Sequence, residues 1–279
     1  GYAVRMSKGA HIVVPGDAIK SETGVIIKTD VSVLFIIPWG DKWIVGTTDT
    51  DYDESREEPL ASRDDVSYII NQANRVLEPK LRRDQVIGVF AGLRPLVSTD
   101  PDSPTTKLSR EHVVDSPTPG FVSIAGGKYT TYRVMAEDAV NEAINHLRKI
   151  VPDSVTETLA IIGADGYSAL MNQIPRLAKL YGVDELTVEH LLNRYGSLID
   201  EVLSPAVQRT DLLDRVVPDL PYLNAEILYA VTHEGALSVD DVLSRRTRIA
   251  FEASDGGESI APLVATLIAP ALGWDAAAK

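Results

Sequence analysis

Short apolar, β-branched runs separated by turn residues fill the first hundred positions, which is the pattern of strands. His11–Val14 is such a run, and Pro15-Gly16-Asp17 closes it with turn chemistry. Val25–Lys28 is a second, short one. Val31–Pro38 and Trp43–Thr48 flank Trp39-Gly40-Asp41-Lys42, which predicts an antiparallel hairpin with a four-residue loop. The apolar stretch Val33–Trp39 has the length of a strand, well short of the roughly 18 apolar residues of a membrane span. The charged stretch Asp49–Pro59 predicts a solvated loop. The period then changes: Ser62 and Asp65 form a helix-start pair, and Val66, Ile69, Ile70, Ala73 and Leu77 recur at helical spacing. Gln85–Ala91 predicts another strand, and the Asp-, Ser-, Thr- and Pro-rich stretch Ser98–Pro119 predicts mostly loop. Phe121–Ala125 reads as a short buried strand. It runs through Gly126-Gly127 into a helix with apolar positions Val134, Ala136, Ala139, Val140, Ala143 and Leu147.

From Val151 onward the period is almost entirely helical. Candidate helices are Tyr167–Tyr181, Thr187–Tyr195, Ala225–Glu234, Ser238–Phe251 and Ser259–Leu272. Gly182 and Gly196 stand where helix C-terminal glycines belong, and Ser238 with Asp241 is a helix-start pair. The switch near Ile150 predicts a domain boundary. The expected class is therefore α+β, a mostly antiparallel sheet region followed by an all-helical region.

Composition narrows the partners. The 279 residues carry 27 Lys and Arg against 40 Asp and Glu, a net charge of −13. Phosphate attraction needs clustered cations, so nucleic acid is not an expected partner. The absence of cysteine excludes disulfides, thiolate catalysis, Cys–zinc sites and iron–sulfur clusters. No metal-ligand spacing is present; His233-Glu234 lacks the second histidine of a metalloprotease helix. Residues 1–15 show no signal-peptide pattern, which favours the cytoplasm. Gly1-Tyr2-Ala3-Val4-Arg5 reads like the middle of a strand, as in a piece of a longer protein.

Six segments carry candidate chemistry. Val122–Thr131 is a strand–Gly–Gly–helix element whose bare backbone and helix N-terminus, with Lys128, Thr130 and Thr131, suit a phosphate or another electron-rich group. It is equally read as a tight turn with capping threonines. Arg94 in Ala91-Gly92-Leu93-Arg94-Pro95-Leu96, directly after the expected strand and before a proline, is held in direction and suits a forked grip on phosphate or carboxylate. A plain surface arginine is the alternative. Arg110 in Ser109-Arg110-Glu111-His112 stands likewise beside a loop. His11, at the entry of an apolar strand, is a candidate base or a structural histidine. Gly46-Thr47-Thr48-Asp49 reads as a strand ending in an Asx or Thr turn. Arg245-Arg246-Thr247-Arg248 is a basic spot, either salt-bridged or a contact for a partner or lipid.

Taken in order, Ser7-Lys8-Gly9-Ala10-His11, Ile37-Pro38-Trp39, Gly46-Thr47-Thr48-Asp49, Ala91–Leu96, Ser109–His112 and Gly126-Gly127-Lys128-Tyr129-Thr130-Thr131-Tyr132-Arg133 resemble the FAD-dependent glycerol-3-phosphate dehydrogenases. Arg194-Tyr195-Gly196 and Asp241–Arg248 resemble that family's C-terminal helical domain. The resemblance covers nearly the whole chain, without the N-terminal half that carries GxGxxG and grips the FAD pyrophosphate. It implies residues 1–84 as part of a substrate-binding cap domain and 85–150 as the last strand–helix part of a Rossmann-like FAD domain. Residues 151–279 would be the helical domain.

The resemblance implies oxidation of sn-glycerol 3-phosphate to dihydroxyacetone phosphate, hydride passing from C2 to the flavin N5 of FAD and electrons onward to a quinone. His11, Arg94 and Lys128 become the catalytic residues, His11 as the base and Arg94 at the reacting C2 oxygen. Arg94, Arg110 and Lys128 become the substrate ligands, Arg110 mainly for phosphate. Gly126, Gly127, Lys128, Tyr129 and Thr130 become the cofactor contacts, where the helix dipole favours negative charge on the reduced ring. The resemblance also implies a cytoplasmic protein, peripheral at the inner face of the plasma membrane, and leaves a homodimer open. Two other readings stay open: an oxidase passing electrons to O2, and a non-catalytic helical interaction module.

Overall fold

The computed structural model describes residues 3–30, 32–98, 111–147 and 149–279. They form two compact units, Gly1–Leu159 and Ala160–Lys279, and the class is α+β.

The first unit is built on an antiparallel sheet. Its strands are β1 (Ala3–Pro15), β2 (Val25–Lys28), β3 (Val33–Trp39), β4 (Lys42–Gly46), the two-residue β5 (Thr50–Asp51) and β6 (Gly88–Ser98). The order is β2-β3-β4-β1, with β5 paired to β1 beyond the end of β4 and β6 on the other side of β1. The expected hairpin β3–β4 is present with a tighter link. Trp39 pairs with Lys42, leaving Gly40-Asp41 as the turn, and Gly40 at φ 59° supplies the positive φ that such a turn needs.

Strand alternation sorts the faces. Ala10, Ile12 and Val14 of β1, Leu34 and Ile36 of β3, and Trp43 and Val45 of β4 are buried together on one face. Helix α1 (Arg63–Ala73) covers that face with Val66, Ile69 and Ala73. Ser62 caps it as expected: the Asp65 N–H donates to Ser62 Oγ at 3.1 Å and the Ser62 N–H to the Asp65 carboxylate at 2.8 Å. Each fully buried aliphatic side chain contributes roughly 1.5–3 kcal/mol, so this face fixes the register of β1. The opposite face of β1 is thereby committed to Ser7, Gly9 and His11.

Two expectations about the middle of the chain are corrected. The strand expected over Gln85–Ala91 begins at Gly88 and runs on through Arg94-Pro95 to Ser98; Gln85 ends a single 3-10 turn. Pro95 is tolerated because β6 pairs with β1 alone among the described residues, so its missing N–H lies on an edge strand. Within the expected loop Ser98–Pro119, β7 (His112–Thr118) is a strand paired with β8 (Phe121–Gly126) around Gly120, φ 82°. The β-branched pair Val113-Val114 sustains it.

β8 is not buried as expected: Phe121 is 55% and Ile124 40% exposed. Helix α2 (Tyr132–Asn145) meets this hairpin with its polar side. Asp138 pairs with His112 Nε2 at 2.7 Å, and His146 Nε2 lies 2.8 Å from Ser116 Oγ. The stripe Ala136, Val140, Ala143 and Leu147, at helical spacing, is exposed.

The second unit is helical, with α3 (Tyr167–Met171), α4 (Ile174–Tyr181), α5 (Glu185–Tyr195), α6 (Ile199–Leu203), α7 (Asn224–Thr232), α8 (Ile249–Glu252) and α9 (Ala261–Leu272). The helix expected over Tyr167–Tyr181 is broken into α3 and α4, because Pro175 sits in the first turn of α4, where a missing N–H is harmless. The helix expected over Ser238–Phe251 is a π-helical segment, Asp241–Arg246, followed by α8. The break is at Thr247, whose hydroxyl and N–H both donate to the Val242 carbonyl, at 2.7 and 2.8 Å. Gly182 closes α4 in the left-handed conformation; Gly196, at φ 56° and ψ −128°, instead lets the chain pass against the Gly163 backbone.

The core of the second unit surrounds one buried carboxylate. Glu226 accepts from the Leu223 N–H at 2.9 Å and from Tyr195 Oη at 3.1 Å. His190 Nε2 and Arg194 Nε approach it at 3.1 and 3.2 Å. Arg194 also lies over the rings of Tyr195 and Tyr222.

Candidate functional site

Register brings the candidates together. Along β1 and β6, Ser7 pairs with Arg94, Gly9 with Gly92, and His11 with Phe90. All six share the sheet face that α1 leaves uncovered. Two facing glycines in the middle row make a floor without side chains, with His11 at one end and Arg94 at the other. A Cβ on Gly9 would lie 2.4 Å from Arg94 Nη2, so the guanidinium rests across the Gly9 backbone. A Cβ on Gly92 would meet nothing within 4 Å, which marks open space beside it. Gly46 is needed for a different reason: its Cβ would fall 2.3 Å from the His11 ring.

His11 stacks on Phe90, with ring centroids 4.9 Å apart. Burial, first, and the Arg94 guanidinium, second, together push its pKa down to about 4. The imidazole is therefore neutral at neutral pH, with one ring nitrogen unprotonated. Its Nδ1 is buried without a hydrogen-bond partner, beside a floor that has room for a polar ligand.

Arg94 is gripped by the loop between β4 and β5. Nη2 donates to Thr47 Oγ1 at 2.8 Å and Nη1 to the Thr48 carbonyl at 3.3 Å. The Asp49 carboxylate lies 3.7 Å from Nη1. Arg94 thus lies within a strand, its direction set by this loop and by Gly9, not by a position just past a strand end. The loop was legible only as a turn. Its role follows from the pairing of Ser7 with Arg94, which no local pattern reveals.

The Gly126–Thr130 turn is a second locus. Gly126 and Gly127 have φ 76° and 82°, and a Cβ on them would lie 2.8 Å from the Glu111 carbonyl and 2.5 Å from Met135 Sδ. Only glycine fits twice here. The turn lies against β6, Gly126 facing Val97, three positions beyond Arg94 and so roughly 10 Å along that strand. Lys128, Tyr129 and Thr130 are exposed, Tyr129 by 90%. A single 3-10 turn, Tyr129–Thr131, precedes α2, and Thr131 caps nothing; its hydroxyl donates back to the Lys128 carbonyl at 3.0 Å. Bare backbone and exposed donors fit the edge of a planar, electron-rich cofactor. Arg110 lies outside the described residues.

The basic spot is salt-bridged. Arg245 pairs with Asp240 and Asp241, and Arg246 Nε donates to the Glu234 carbonyl at 2.8 Å. His233 stacks on Tyr229 with centroids 4.4 Å apart.

The chain is 48% identical over 275 residues to the glycerol-3-phosphate dehydrogenase of Mycobacterium leprae, covering 99% of this chain and 47% of the relative. It is 36% identical over 278 residues to the human mitochondrial glycerol-3-phosphate dehydrogenase, covering 96% and 38%. The crystal structure of the glycerol-3-phosphate dehydrogenase from Bacillus halodurans complexed with FAD superposes with a TM-score of 0.82 at 28% identity, covering 99% of this chain and 55% of that one. The chain spans about half the length of the curated relatives it matches. The resemblance carried by the sequence motifs therefore holds: the chain is similar to the glycerol-3-phosphate dehydrogenases over nearly its whole length, and residues 154–279 match the family model described as the C-terminal domain of alpha-glycerophosphate oxidase.

Proposed function

We propose that the full-length protein carrying this chain oxidises sn-glycerol 3-phosphate to dihydroxyacetone phosphate with FAD and passes the electrons to a quinone. The observation that carries the reading is a neutral histidine whose buried Nδ1 has no hydrogen-bond partner and a loop-gripped arginine at the two ends of a glycine floor. A secondary alcohol next to a phosphate ester needs a base for its hydroxyl proton and a cation for the oxygen. In this reading the C2 hydroxyl proton passes to His11, and Arg94 steadies the negative charge that develops on that oxygen. Arg110 and Lys128 hold the phosphate, Lys128 between substrate and cofactor. FAD, when bound, supplies the two-electron acceptor for the C2 hydrogen. Gly126, Gly127, Lys128, Tyr129 and Thr130 would hold its ring edge, and their exposure and bare backbone support that assignment.

The reading assigns residues 1–84 to a substrate-binding domain, 85–150 to the end of a FAD-binding domain and 151–279 to a helical domain. The exposed stripe of α2 and the exposed Phe121 and Ile124 are the surfaces that the remaining FAD-binding part would cover. A quinone acceptor puts the protein in the cytoplasm at the inner face of the plasma membrane. Among the described residues no helix is long and apolar enough to cross a membrane. The match of residues 154–279 to a domain named for an oxidase favours a second reading, with O2 as acceptor.

The test is flavin content and glycerol-3-phosphate-dependent dye reduction, for this chain and for the full-length protein. A yellow, active full-length form is expected. Loss of activity in Arg94→Ala and Arg110→Ala, each by roughly 100-fold in kcat/KM, supports the site. Wild-type kcat/KM in both overturns it. A colourless, inactive full-length form moves the interaction-module reading forward. Oxygen consumption without a quinone separates the two acceptors.

A further inference from the structure

The loop Gly46-Thr47-Thr48-Asp49 holds an acid that the proposed reaction does not use. The Asp49 side chain is 2% exposed. It accepts a hydrogen bond from Ser7 Oγ, and Ser7 is itself fully buried. Ser7 is also the residue that faces Arg94 across the β1–β6 ladder. The carboxylate lies 3.7 Å from Arg94 Nη1, on the side of the guanidinium that Thr47 Oγ1 and the Thr48 carbonyl occupy. The loop is in turn tied to β1: the Ala10 N–H donates to Thr48 Oγ1 at 2.9 Å and the Thr48 N–H to the Ala10 carbonyl at 3.4 Å. The result is a chain of fixed contacts from the buried strand through Ser7 and Asp49 to the guanidinium.

We infer that Asp49, oriented by Ser7, is a positioning residue that aims Arg94 across the glycine floor toward the substrate oxygen. The inference rests on the proposed role of Arg94 and extends it. The physical need is specific. Arg94 has four rotatable bonds and a side chain that is 28% exposed. Thr47 and Thr48 offer the guanidinium neutral acceptors only, one of them at 3.3 Å. A buried carboxylate 3.7 Å away adds a charge that favours one orientation of the cation over the others. Removing a carboxylate from that place leaves the cation present but less well aimed. Poor aim costs most where charge develops during the reaction, so the effect falls on turnover more than on substrate capture.

The test uses the flavin-loaded full-length protein and four variants: Asp49→Asn, Ser7→Ala, Arg94→Ala and the double variant Asp49→Asn/Arg94→Ala. Asp49→Asn is expected to lower kcat by about 10-fold with KM changed by less than about 3-fold. Ser7→Ala, which only loosens the carboxylate, is expected to lower kcat by about 3-fold. In the Arg94→Ala background, Asp49→Asn is expected to have no further effect, because there is no guanidinium left to aim. A general loss of folding would lower flavin content and would add to the Arg94→Ala defect. Additive losses, or a wild-type kcat in Asp49→Asn, overturn the inference. If Asp49→Asn does not load flavin, Ser7→Ala decides it: an unchanged kcat overturns the inference and a reduced one supports it. The two readings fail separately. An active Arg94→Ala removes the proposed site, whereas an inactive Arg94→Ala beside a fully active Asp49→Asn removes only the positioning role.

Discussion

His11 and Glu226 show two different surroundings for an ionisable side chain. His11 is kept neutral: its pKa sits at about 4 because burial and then Arg94 disfavour the imidazolium. An unfolded histidine titrates near 6.5, so between pH 6.5 and 4 the unfolded chain binds a proton that the folded chain refuses. Stability is therefore lost as the pH falls through that window, by at most about 1.4 kcal/mol per pH unit from this residue. Denaturant unfolding of the wild type and of His11→Gln between pH 4 and 7 checks it. The difference in stability between the two is expected to follow this slope, and a pH-independent difference contradicts it. Glu226 is fully buried, and its carboxyl group is surrounded by His190, Arg194, Tyr195 and the Leu223 N–H. Glu226→Ala strands the Arg194 cation inside the helical unit. That loss is expected to cost about 3–5 kcal/mol, read as a lowered urea midpoint for that unit's transition.

At the scale of elements, β1 is the organiser, because its two faces carry different tasks. Ala10, Ile12 and Val14 face α1, while Ser7, Gly9 and His11 face the site. The Ser62 cap holds α1 on the first face, and Ser62→Ala is expected to cost about 1 kcal/mol, visible in the thermal midpoint with kcat unchanged. Gly9→Ala tests the second face. The new Cβ would sit 2.4 Å from Arg94 Nη2, so the guanidinium must move. A loss of roughly 10- to 100-fold in kcat/KM at unchanged flavin content is expected; a fully active Gly9→Ala protein contradicts the glycine floor. The alternation of β1 and the cap and period of α1 were legible locally, since each depends on neighbours within a few residues. The extent of β6 was not, because a proline inside a strand is acceptable only at a sheet edge, and edge position is a property of the whole sheet. The same holds for Arg94. Its sequence neighbours suggest a loop arginine, whereas its partners Thr47, Thr48 and Asp49 come from more than forty positions earlier.

For the whole molecule, α2 is the element whose sequence and surroundings disagree. Its apolar stripe has the spacing of a core-facing helix, yet Val140 is 55% and Leu147 54% exposed. The helix meets the β7–β8 hairpin through Met135, Asp138 and His146 instead. The helix expected with apolar positions at Val140 and Leu147 is present, and the described residues hold no layer to cover them. In the proposed full-length protein that layer is the rest of the FAD-binding domain, which makes Val140→Glu a discriminating change. On an exposed helix position the substitution is expected to shift the stability of this chain alone by no more than about 0.5 kcal/mol. Against a covering layer it buries an unpaired carboxylate, a cost of several kcal/mol. Flavin content of the full-length protein is then expected to fall sharply while the melting of the isolated chain stays unchanged. Full flavin retention in the Val140→Glu protein would show that this stripe faces solvent there too, and that the FAD-binding part packs elsewhere.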